Sequence, residues 1–396
     1  MPSDRLLLLG AGTSMAVGMP STQQITARIL SGDGVVKESD DLYWIPEPAH
    51  AQDDLYAPER DRALGMIRLV RGICTAYYGE EARFVSYEDL YFVCRQVHDA
   101  DCFPPEYDNP ALQPLMQQLL RDGCNLLASD HRGFRREPWT LVEIASEALT
   151  YIHCIAWRML RQSPSSLANL RWLSGVCTRR PVDIFTLNHD TVIEKLLREA
   201  GVAFVDGFDT QRGDVRLFEA PLYDAPAARI RLFKLHGSID WFEFSGPEGE
   251  DLPRLGIASC GDAETARGQT GRFLRIGEGK PKMLIGTFNK MLEYGAGPFV
   301  ELHSRLLASL GVAQVIVVVG YGFRDKGVNR AVVQWLFERR DRRLVVVHPR
   351  PNDLVAGARG VIQRHWEPLI QLGRLRVIEK YCEDLHPDDI EAAAAV

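Results

Sequence analysis

The sequence predicts an α/β protein: a doubly wound parallel sheet interrupted by a large helical insertion. Three observations predict it. Short, almost wholly apolar runs recur at residues 5–9, 181–187, 230–235, 314–319 and 344–347, as in strands buried on both faces of a parallel sheet. Turn residues and amphipathic helical patterns follow most of these runs, which is the alternation of a β-α-β chain. Between the first two runs, from about Ser31 to Leu170, strand signals give way to helical periodicity.

The first unit is Arg5-Leu6-Leu7-Leu8-Leu9, then a glycine turn at Gly10-Ala11-Gly12-Thr13-Ser14, then a helical pattern through Ile25, Ile29 and Leu30. Apolar residues at helical spacing mark helices over 62–78, 88–97, 112–127 and 138–160, with Pro- and Asp-rich loops between them. Strands return at Pro181–Leu187, Ala203-Phe204-Val205 and Ile230–Leu235, with a helix over 191–200. The 245–280 stretch is rich in Gly, Glu and Arg and has little periodicity, so it reads as a flexible excursion or lid. Helices at 299–310 and 329–339 flank the strand 314–319, and Leu344–Val347 completes a βαβ unit. Residues 1–32 and 171–396 then form one discontinuous sheet domain, and 33–170 the helical insertion domain.

The bulk properties narrow the function. With 396 residues, 46% hydrophobic and 25% charged, the chain is that of an ordinary globular protein. A net charge of -7 argues against a dedicated nucleic-acid binder, and basic clusters such as Arg132–Arg136 and Arg339–Arg343 read as solvated faces. No run is long enough to span a membrane or to serve as a secretory signal core, so the expectation is a cytoplasmic protein without membrane contact. None of the eight cysteines is spaced Cys-x-x-Cys, which speaks against a zinc ribbon and for reduced thiols.

The chemistry sits at strand ends, where ligands bind in open α/β sheets. Gly10 and Gly12 allow a tight turn and close approach of a pyrophosphate, with the amides that open the helix facing the anion. The third glycine of a dehydrogenase fingerprint is missing, because position 15 is Met15. Thr186-Leu187-Asn188-His189-Asp190 follows the second run. Asn188 offers a donor and an acceptor, Asp190 suits the cap of the next helix, and His189 reads as outward-facing or supporting. Lys234-Leu235-His236-Gly237-Ser238 puts a proton-transfer group beside a glycine. Gly320-Tyr321-Gly322-Phe323-Arg324-Asp325 is a second glycine turn suited to a ribose or phosphate, and His348 ends a further strand near an adenosine.

This set resembles the sirtuin-like family, which binds NAD in a Rossmann-type sheet. The family's opening Gly-Ala-Gly-x-Ser and Gly-x-Pro correspond to Gly10–Ser14 and to Gly18, Met19 and Pro20. Its Thr-x-Asn-x-Asp corresponds to Thr186, Asn188 and Asp190, and its His-Gly to His236 and Gly237. The bacterial branch adds a Gly-Tyr-x-Phe-x-Asp turn, matched at 320–325. The chain departs from the deacetylases in three places. Ser21-Thr22-Gln23 replaces Asp-Phe-Arg, Leu187 replaces the Gln before the Asn, and the four-cysteine zinc module is missing.

The resemblance implies an NAD-binding domain without zinc and a zinc-less branch similar to NAD-hydrolysing effectors of bacterial antiphage defence. Asn188 and His236 would be catalytic. Gly10, Ala11, Gly12, Thr13, Ser14, Pro20, Thr186, Asp190, Gly320, Tyr321, Gly322 and His348 would hold NAD. The expected reaction is cleavage of the nicotinamide–ribose bond to nicotinamide and ADP-ribose. A homo-oligomer and a separate sensor, of the HerA-type ATPase/helicase or Argonaute-like kind, are the expected partners. The alternatives are an NAD-dependent protein deacylase and a non-catalytic module that senses NAD or ADP-ribose.

Overall fold

The computed structural model describes residues 4–37, 42–45, 56–79, 83–102, 109–128, 137–209, 215–244, 253–258 and 279–395. Strand β1 (Arg5–Leu9) runs into the five-residue helix α1 (Ala11–Met15) and then α2 (Thr22–Ser31). The insertion follows, with long helices α3 (Ala57–Tyr78), α4 (Tyr87–Cys102) and α5 (Leu141–Leu160). The sheet resumes with β2 (Val182–Thr186), α6 (Val192–Glu199), β3 (Ile230–Lys234), α7 (Gly297–Val312), β4 (Val315–Val319), α8 (Lys326–Glu338) and β5 (Arg343–Val347). Helix α9 (Val361–Gln371) leads to β6 (Leu375–Ile378).

All pairings in this sheet are parallel, and the strand order is β3-β2-β1-β4-β5-β6. That is the order of a Rossmann sheet, two three-strand halves growing outward from β1 and β4. The expected doubly wound α/β fold is therefore present, with the helices of the insertion between β1 and β2.

Alternation along each strand sorts the core into two layers. Leu7, Ile184, Leu232, Val317 and Val345 face one layer, and Leu6, Leu8, Phe185, Phe233 and Val318 face the other. The first layer continues without a break into Ile67, Leu90, Ile144 and Ile152 of the insertion. Helix α5 explains why: it is apolar on most of its circumference, packs against α3 and α4, and buries twelve of its twenty residues. Thr140 and Glu143 form a capping box that fixes where α5 begins. No described helix is both long and apolar enough to cross a membrane.

Several local expectations need correction. Residues 203–205 form no strand; only Val205 makes a bridge, to Arg231. The run is too short to carry a strand's ladder of bonds. The sixth strand, Leu375–Ile378, carries too little pattern to predict, being a four-residue edge strand that contains an arginine. Within the 245–280 excursion, Arg254–Ala258 is a strand, pairing antiparallel with Trp241–Phe244 and Val215–Leu217. Its partners lie elsewhere in the chain, so local periodicity did not reveal it. Residues 245–252 and 259–278 of that excursion lie outside the described residues, as does the Arg132–Arg136 cluster. In the other cluster, Arg339 pairs with Asp341 and Arg342 with Glu338.

Candidate active site

One cleft of about 590 Å³ is lined by the ends of all six strands. In sheet order these are His236 after β3, Leu187 and Asn188 after β2, Gly10–Gly12 after β1, Val319–Gly322 after β4, Val347–Pro349 after β5, and Lys380–Glu383 after β6. The strand order reverses between β1 and β4, which makes that junction the switch point of the sheet. An elongated ligand can lie across such a switch point.

The β1 and β4 turns are packed backbone against backbone. Gly10 N donates to Val319 O at 3.0 Å and Gly12 N to Gly320 O at 2.8 Å. A β-carbon at Gly12 would sit 2.8 Å from Gly320 Cα, and one at Gly320 would sit 2.3 Å from Thr13 N. Both glycines are therefore required by this contact, and Gly320 also has φ +65°. The packing corrects the expected anion contact: the Gly12 amide is used on Gly320 and the Thr13 amide on Gly10 O at 2.9 Å. The sequence shows each turn but not that they meet.

Thr13 and Ser14 lie beneath the turn. Thr13 Oγ1 donates to Val319 O at 3.1 Å, and Ser14 Oγ accepts from Asn188 Nδ2 at 2.8 Å. Neither lines the cleft, and nor do Pro20, Thr186 or Asp190. Thr186 Oγ1 accepts from Asn188 N at 3.1 Å, and Asp190 Oδ1 from Val192 N at 3.0 Å, so Asp190 serves the first turn of α6. His189 does not face outward. It is buried, with its Nδ1 unpartnered, and burial and the nearby cation of Lys290 depress its pKa well below the usual value. Tyr321 borders the cleft, but its hydroxyl turns inward and donates to Asn329 Oδ1 at 2.8 Å. His348 lines the far end, with Nδ1 accepting from Arg350 N at 3.1 Å.

Asn188 is held from one side only. Its Nδ2 donates to Gly10 O at 3.0 Å and to Ser14 Oγ. Gly10 O can only accept, which fixes the orientation of the amide. No hydrogen bond engages Oδ1 among the described residues, and Asn188 lines the cleft, so Oδ1 is its spare acceptor there.

His236 is buried at 3% exposure. Its Nε2 lies 3.1 Å from the Tyr294 hydroxyl and 3.2 Å from Asp325 Oδ2, while Tyr294 donates to the same Asp325 oxygen at 2.6 Å. Burial, and next Lys290, pull the His236 pKa down, and Asp325 only partly offsets them. Burial works against Asp325 ionising, but His236, Lys290 and Tyr294 outweigh it and hold the carboxyl below its ordinary range. Burial and Asp325 push the Tyr294 pKa up, so it stays a donor. The carboxylate only accepts and the tyrosine proton is committed to it, so Nε2 must carry the proton of a neutral imidazole. Nδ1 is then left with the lone pair, and no hydrogen bond engages it among the described residues. The arrangement can take a proton from a hydroxyl or a water molecule.

Sequence reasoning missed the supports. Asp325 closes the Gly320–Asp325 turn, whose pattern alone assigns it no role. Tyr294 and the Lys290–Glu88 pair, 2.7 Å apart at the cleft wall, gave no local signal at all. Arg324 and Arg359 also line the cleft and bring positive charge to it.

Residues 182–367 match the family model described as the SIR2-like domain. The matched stretch contains Asn188, His236, Tyr294, Asp325 and His348, and leaves out Gly10–Ser14. Similar solved structures include a Sir2 homologue carrying a serine-to-alanine change in complex with ADP-ribose, at 11% identity, 98% coverage of this chain, 91% of that chain and TM-score 0.38. A structure of Sir2 enzymes concerned with mechanism and regulation is 11% identical, with 98% and 92% coverage and TM-score 0.34. A Sir2 homologue with a histidine-to-asparagine change, also bound to ADP-ribose, is 12% identical, with 98% and 91% coverage and TM-score 0.32. No curated protein matches the sequence.

Proposed function

From the SIR2-like domain over residues 182–367, we propose that the chain is an NAD hydrolase releasing nicotinamide and ADP-ribose. The observation that carries this reading is the single cleft across all six strand ends, with Asn188 and His236 together on one half. Gly10–Gly12 and Gly320 allow the pyrophosphate to approach the backbone. His348 and the 380–383 segment take the adenosine end, and Asn188 and His236 the nicotinamide ribose.

The bond to a cationic pyridine breaks with positive charge developing on the ribose. Asn188 Oδ1 accepts from a ribose hydroxyl or the incoming water and so fixes its position. His236 Nδ1 removes the proton. Burial and Lys290 keep the imidazole neutral, while Asp325 and Tyr294 hold it turned toward its task. The resemblance of the motifs to defence effectors supports a role as the toxic arm of an antiphage system. Activity would then be restrained by oligomer packing and released by a separate sensor protein.

The test is incubation of the pure protein with NAD, alone and with a HerA-type ATPase or Argonaute-like partner, with products identified by mass. Nicotinamide and ADP-ribose are expected, and Asn188→Ala and His236→Ala should each lower the rate by roughly 10²–10⁴-fold. Transfer of an acyl group from an acyl-lysine peptide to ADP-ribose would establish the deacylase instead. Tight NAD binding with no turnover under any condition would establish a sensor.

A further inference from the structure

A second chamber of about 350 Å³ opens beside the cleft and shares Thr287, Arg324 and Arg359 with it. Its remaining walls include Tyr78 on α3, Phe92 on α4, Phe288, and Lys326 at the start of α8. Arg83, Arg324, Lys326 and Arg359 bring four cations to it, in a chain whose net charge is -7.

The one carboxylate there is already engaged. Asp89 binds Arg83 through Oδ1 and accepts from the Ser86 amide and hydroxyl through Oδ2 at 3.1 and 2.8 Å. Arg359 stands 3.7 Å from it. Arg324 and Lys326 are exposed and have no ion-pair partner among the described residues. Such clustering of like charge is unfavourable until an anion joins it. The apolar part of the chamber is largely aromatic. Tyr78, Phe92 and Phe288 line it beside Val93; Arg83 already lies over the Tyr78 ring at 4.2 Å, while Phe288 remains 52% exposed at the rim. Flat apolar faces beside guanidinium groups are what a base and its phosphates require.

We infer that this chamber binds a second nucleotide, phosphates on Arg324, Lys326 and Arg359 and base against the aromatic wall, alongside the dinucleotide in the cleft. The inference rests on the reading of the cleft as the NAD site. A cleft of about 590 Å³ has room for a dinucleotide by itself, which leaves the chamber for a ligand of mononucleotide size.

The experiment titrates ADP into the His236→Ala protein saturated with NAD, followed by calorimetry. One further equivalent of ADP is expected per chain. Lys326→Glu and Phe288→Ala, both exposed and outside the catalytic group, should each weaken that binding at least about tenfold while leaving NAD affinity unchanged. Pyrophosphate should bind more weakly than ADP, because it has no base to stack. ADP that displaces NAD, no second equivalent, indifference to both substitutions, or pyrophosphate binding as tightly as ADP would each overturn the inference. Should the protein bind no NAD at all, the reading of the cleft fails by itself, and ADP titrated into the unliganded chain and the same two variants still decides the chamber.

Discussion

His236 Nε2 and Asp325 Oδ2 lie 3.2 Å apart, and Tyr294 donates to the same carboxylate oxygen. The pair links the end of β3 to the start of α8, where Asp325 Oδ1 also accepts from Val328 N at 3.0 Å. Asp325 thus orients the histidine through one oxygen and caps a helix through the other. Asp325→Asn should keep the cap while letting the imidazole adopt the wrong tautomer, with a loss of about 10² or more in kcat. Asp325 raises the His236 pKa, so its removal should also move the acidic limb of the pH–rate profile to lower pH. A purely structural role would leave that limb where it is. Kinetics of Asp325→Asn across pH 4–8 would check this.

The contact between the two glycine turns makes a paired prediction. Gly320→Ala places a methyl 2.3 Å from Thr13 N at φ +65°, costing about 1–2 kcal/mol for the backbone conformation and more for the displaced turn. Gly322→Ala meets nothing nearer than Arg324 Cγ at 3.9 Å. Thermal melts should show a clear drop for the first and almost none for the second, and NAD binding should be lost only in the first.

Asp183 and Arg231 face each other in register on β2 and β3, bonded at 2.7 and 2.5 Å, with Ser309 Oγ donating to Asp183 at 2.9 Å. The pair is buried, so removing one partner strands a charge. Asp183→Ala should lower stability by about 3–5 kcal/mol, and replacing both residues with apolar ones should cost far less. Denaturant unfolding of the single and double variants measures the difference.

His189, His236 and His303 are all buried or half-buried, and burial depresses each pKa, for His303 from 6.5 to about 4. Below pH 6.5 the unfolded chain therefore binds protons that the folded chain refuses. Folding stability should fall as pH drops from about 6.5 toward 4, and gain nothing from these groups above 6.5. The variant His303→Gln should flatten part of that slope in melts taken across the window.

The sequence by itself determined the alternating α/β plan, because strands buried on both faces must be written as unbroken apolar runs such as Val315–Val319. It also marked Asn188, His236 and both glycine turns, since each sits within a few residues of a strand end. Only the tertiary structure decided which of these face the cleft. The hydroxyls of Thr13, Ser14 and Tyr321 turn inward because neighbouring backbone and side chains consume them. Tyr294, Lys290 and the partner strands of 254–258 left no trace in the local pattern. Their contacts join segments far apart in the chain, and periodicity records only what a segment buries, not what it meets.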